Sequence, residues 1–121
     1  MRLTLLAFAA TLAGFAQAQA RDSARDILPG CRDYVNVGKG IRAPEQADIL
    51  AAADCVATIR TLFNVAELLG AQFRFCRPDG VTINDGVELA VQAIEARPQM
   101  GHAPFVIMAI AAFHEHWPCQ R

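Results

Sequence analysis

Apolar residues recur at helical spacing in four stretches of the chain, and a fifth stretch near its start is almost unbroken. That first run, residues 3–15, is interrupted only by Thr4, Thr11 and Gly14. Further on, Ile27, Cys31, Tyr34 and Val35 fall on one helical face. Asp26 is placed to cap this helix, with Pro29 in its first turn, and Gly38-Lys39-Gly40 breaks it. Pro44 and Glu45 suit the opening of a second helix. Its body runs over residues 47–69, where Cys55, Ile59, Leu62, Ala66 and Leu69 form a single apolar seam, and Gly70 stops it.

Residues 71–81 read as a loop, with Pro78, Asp79 and Gly80 supplying turn chemistry. Thr82 and Asp85 have the spacing of a capping box. Ile83, Val87, Ala90, Val91 and Ile94 then make the inward face of a third helix, which Pro98 ends. Pro104 opens a fourth. Its body, residues 105–113, has no polar residue, which places it in the middle of the core. The expected fold is all-α, a small four-helix bundle.

Composition narrows this further. The chain has 121 residues, 54% hydrophobic and 19% charged, with a formal net charge of −1. It is too short for a multidomain enzyme and too apolar for a disordered chain. Near-neutral charge leaves no electrostatic footprint for nucleic acid. Arg2, the apolar run and the overlapping Ala16-Gln17-Ala18 and Ala18-Gln19-Ala20 sites read as a secretory signal peptide, residues 1–20. One domain, residues 21–121, remains. The run is shorter than a span, so it reads as a cleaved leader rather than an anchor. After cleavage no membrane segment is expected, the apolar fourth helix being also too short to cross a bilayer.

Export changes the meaning of the cysteines. Cys31, Cys55, Cys76 and Cys119 all lie beyond residue 20, and exported proteins keep disulfides. No C-x-x-C pair is present, which disfavours zinc and thioredoxin-type chemistry. Two disulfides allow three connectivities. A short connection makes helices three and four antiparallel, which brings Cys76 near Cys119. By elimination Cys31 meets Cys55.

Candidate chemistry is sparse. His114 and His116 are two apart and point to different sides of a helix, so they read as a solvated helix end rather than a metal pair. Trp117 reads as a plug at the domain edge. Beyond residue 20 the chain has one serine, Ser23, and no nucleophile motif or phosphate-binding loop, so neither an enzyme nor a cofactor is expected. Phe73, Arg74, Phe75, Arg77 and Asp79 stand out. Either the two phenylalanines pack beneath the loop and the arginines are solvated, or the loop protrudes as a recognition element pre-organised at Cys76.

Phe75-Cys76-Arg77-Pro78-Asp79-Gly80-Val81-Thr82 resembles the Phe-Cys-x-Pro-x-Gly-Val-Thr motif of the Rap/Tai family of type VI secretion immunity proteins. Ile27-Leu28 with Cys31, the apolar stretch opened by Cys55, Pro98 and the closing Trp117-Pro118-Cys119 extend the likeness over nearly the whole exported chain. Departures are Ala57-Thr58 where the family has Gly-Tyr, Asp85 for a common Gln, and Trp117 for Phe. The resemblance implies a periplasmic helical protein, often a homodimer, that binds a secreted cell-wall amidase and blocks its active site. A periplasmic stress or chaperone-like protein without a cognate toxin is the alternative.

Overall fold

The computed structural model describes residues 22–120. The expected signal peptide lies outside them. Four helices follow one another: α1 (Ala24–Gly38), α2 (Ile49–Val65), α3 (Ile83–Glu95) and α4 (Phe105–His116). Single 3-10 turns at Pro44–Gln46, Ala66–Leu68 and Pro98–Met100 join or extend them, and no strand occurs among the described residues. The bundle expected from the apolar spacing is the fold observed.

The helix starts depart from the sequence reading for local reasons. Ser23, not Asp26, caps α1; its hydroxyl accepts the Asp26 amide at 3.2 Å, which moves Pro29 from the first turn into the helix body. Backbone pairing fixes this early start: the Ala24 amide donates to the Ala103 carbonyl and the Arg25 amide to that of Gly101. Pro44 opens only a 3-10 turn, after which Ala47 is extended and Asp48 caps α2 through the Ala51 amide at 3.0 Å. The Thr82–Asp85 capping box forms as expected at α3.

The core is apolar throughout, with no polar or charged side chain buried among the described residues. α1 contributes Leu28 and Cys31, α2 Cys55, Ile59, Leu62 and Phe63, α3 Val87, Ala90 and Ile94, and α4 Phe105, Met108, Ala109 and Phe113. The stretch Ile49–Leu68 is long and apolar enough to cross a membrane by length and composition. Its seam is instead buried in the bundle, and Cys55 bonds Cys31. Where α1 crosses α2 the backbones nearly touch: a Cβ on Gly30 would stand 2.2 Å from the Ala51 carbonyl oxygen.

α4 corrects one expectation. It is not surrounded by core, because Val106, Ile107 and Ala111 are exposed. A bundle of four short helices covers only part of each, so an all-apolar helix keeps an uncovered side.

Candidate functional site: the tethered loop

The segment between Leu68 and Ile83 gains its shape from a few anchors. Gly70 accepts the Phe73 and Arg74 amides at 2.8 and 2.9 Å, which makes the first turn. Gly80 lies at φ +84°, a left-handed conformation that favours glycine and turns the chain toward α3. Between these turns the loop is pinned to α4 and its tail at three neighbouring residues. Half-buried His114 donates from Nδ1 to the Arg74 carbonyl at 2.7 Å. Phe75 is buried, 1% exposed. The Cys76 amide donates to the Trp117 carbonyl at 2.8 Å, and Cys76 is bonded to Cys119 with a Cα–Cα distance of 4.8 Å. The other disulfide joins Cys31 and Cys55 at a Cα–Cα distance of 5.4 Å. Both pairings follow the hairpin argument from sequence.

Beneath the loop is a cluster of four aromatic rings. Phe75 lies 5.1 Å from Phe113, centroid to centroid, and 6.2 Å from Phe63. Trp117 stacks on Phe113 at 5.2 Å and meets Phe63 edge-on at 5.9 Å. Such offset and tilted pairs each add about 0.5–1.5 kcal/mol beyond area burial. The Arg77 guanidinium sits 4.4 Å above the Phe63 ring, a cation–π contact at an exposed position.

The loop therefore divides the candidate residues. Phe75 packs beneath it, whereas Phe73 stays 45% exposed, so the two phenylalanines do not share one fate. Arg74, Arg77 and Asp79 are exposed with Phe73. The structure brings Phe73, Arg74 and Arg77 to the surface on a backbone held by hydrogen bonds and a covalent bond. Such pre-ordering lowers the entropy lost on binding.

Three residues that sequence reasoning did not place here matter. Phe63 is the ring under Arg77; its position four after Ile59 was a signal that the chosen seam passed over. His114 secures the loop rather than ending a solvated helix, and no local pattern announces that contact. Trp117 does plug the domain edge, but its carbonyl also holds Cys76. Elsewhere, the Tyr34 hydroxyl donates to Asn84 Oδ1, tying α1 to α3.

Several concavities lie on other elements. One is an apolar groove of about 330 Å³ between α1 and the start of α2, lined in part by Tyr34, Val37, Pro44, Ile49, Ala53 and Val56. Another, about 560 Å³, lies between α1 and the end of α3, where Arg32 Nε donates to Glu95 Oε1 at 2.6 Å. Among the described residues no cluster of three or more His, Cys, Asp or Glu could hold a metal ion.

The sequence matches the model of a family described as Rap1a immunity proteins over residues 12–119. No curated protein and no solved structure matches it.

Proposed function

Because the chain belongs to the Rap1a immunity protein family, we propose that it neutralises a secreted toxin by binding it, and that this toxin is a peptidoglycan amidase delivered by type VI secretion. The observation that carries the reading is the family match over nearly the whole chain. Export to the periplasm, where cell-wall substrate and toxin meet, fits the N-terminal run ending in small residues and the two disulfides. The protein acts by occupancy, not catalysis.

The loop after α2 is the element proposed to enter the toxin cleft. Arg and aromatic side chains are favoured anchors, and here Phe73, Arg74 and Arg77 are exposed on a tethered backbone. Binding of the exported protein to an amidase encoded beside it, with peptidoglycan hydrolysis as readout, tests both parts. Arg74→Ala should weaken binding roughly 5- to 150-fold, about 1–3 kcal/mol, while Gln92→Ala on an exposed face of α3 should change little. Unchanged affinity in a folded Arg74→Ala variant removes the loop from the interface. Failure of the native protein to inhibit any such amidase favours the stress-protein alternative.

Self-association belongs to the same proposal. Ile49, 71% exposed, lines the apolar groove, and its neighbour Leu50 is 79% exposed. A second copy seated on this face across a two-fold contact would cover both the groove and the exposed Ile49 and Leu50 side chains. Light scattering over a concentration series should show a dimer that Leu50→Asp dissociates; a monomer at all concentrations rejects it.

A further inference from the structure

The two disulfides occupy opposite surroundings. Cys31 and Cys55 have no exposed surface and belong to the core cluster. Cys76 is exposed and Cys119 half-buried, where the loop meets the C-terminal tail. We propose that Cys76–Cys119 is a thiol–disulfide exchange site, opened by dithiol reductants while Cys31–Cys55 stays closed and the bundle stays folded.

Exchange requires an attacking thiolate to reach one of the bonded sulfurs. At Cys31–Cys55 that approach requires the helices to separate. At Cys76 it requires no such opening, and the neighbouring Arg77 cation favours an approaching anion. One thiolate of the dithiol attacks Sγ of Cys76, forming a mixed disulfide and expelling the Cys119 thiolate, which takes up a proton. The second sulfur of the dithiol then attacks the mixed disulfide. The reductant closes its own disulfide, and Cys76 leaves as a thiolate that is protonated in turn. Two electrons and two protons pass from dithiol to protein.

The consequence is local. Phe75 remains packed on Phe63 and Phe113 in the aromatic cluster, and the Cys31–Cys55 crossing of α1 and α2 keeps its own bond. What loses its covalent tie is the pairing of the loop with the tail, leaving the single Cys76 amide bond to the Trp117 carbonyl and the His114 contact to hold it. The site is a latch on the order of the loop, and its chemistry does not depend on which partner the loop meets.

The test uses the exported, oxidised protein in native buffer with dithiothreitol. Samples are quenched by alkylation at intervals and mapped by peptide mass, with far-UV circular dichroism in parallel. Cys76 and Cys119 should become alkylated at least about tenfold sooner than Cys31 and Cys55, with helix content retained. Hydrogen exchange at the Cys76 amide should quicken at least about tenfold on opening. Simultaneous alkylation of all four cysteines, resistance of both bonds, or loss of helix with the first bond overturns the inference. An unchanged Cys76 amide overturns the latch.

Discussion

The crossing of α1 and α2 and the loop beside α4 are each closed by a disulfide, and the two bonds act on different parts of the molecule. At the crossing, the bond lies among core residues on helices whose backbones nearly touch at Gly30 and Ala51. At the loop, the bond lies near the surface and holds a segment with no secondary structure of its own. Chain-entropy reasoning treats them almost alike, at about 3–4 kcal/mol each. Their surroundings separate them: removing the first also disturbs packing, whereas removing the second mainly frees a loop.

The largest expected effect breaks the buried side of this comparison. Replacing Cys31 and Cys55 together with Ser should cost about 5 kcal/mol or more. The lost cross-link contributes most of that, and two hydroxyls left in an apolar core add to it. Chemical denaturation measures it, and a cost no greater than for the other pair would remove the distinction. Cys76→Ser with Cys119→Ser should cost about 2–4 kcal/mol, with helix content preserved at low denaturant.

Two glycines sharpen the contrast at smaller amplitude. Gly30→Ala drives a methyl group into the Ala51 backbone, which cannot yield as a side chain can, and should cost about 3 kcal/mol. Gly80→Ala meets nothing within 4 Å and should cost only about 1–2 kcal/mol, through its left-handed backbone. Equal costs would mean that space is not what limits the α1–α2 crossing.

The smallest effect concerns pH where the loop enters α3. The Thr82 backbone amide, and secondarily its hydroxyl, hold the Asp85 carboxyl below the usual aspartate range. The folded state thus favours the ionised form. This stabilisation is complete above the ordinary aspartate pKa and is lost as pH falls through the lowered native value. Melting temperature should therefore decline less between pH 7 and pH 3 in Asp85→Asn than in the native chain, and an identical decline would exclude the capping box as its source.

Much of the fold was legible because its causes are local. Cys55, Ile59, Leu62 and Ala66 sit one or two turns apart, and their spacing alone defined the buried seam of α2. The capping box needs only Thr82 and Asp85. The Phe-Cys-x-Pro-x-Gly-Val-Thr motif marked both the loop and the family. The start of α1 was less legible, because Ser23 competes with Asp26 and the decision comes from Ala103 and Gly101, nearly 80 residues away in sequence.

The chain by itself thus determined four helices, the loop between the second and third, and a cysteine order that a hairpin geometry could pair, although α2 gives way to a 3-10 turn at Ala66 rather than running to Gly70. Tertiary structure alone decided which disulfide is buried, that Phe75 turns inward while Phe73 does not, that Phe63 lies under Arg77, and that His114 holds the loop. It also decided that α4, apolar on every side, leaves Val106 and Ile107 to solvent. Helical periodicity records which residues share a face. Whether that face is covered depends on surfaces brought from elsewhere in the chain, and four short helices have too little volume for their surface to cover every apolar one.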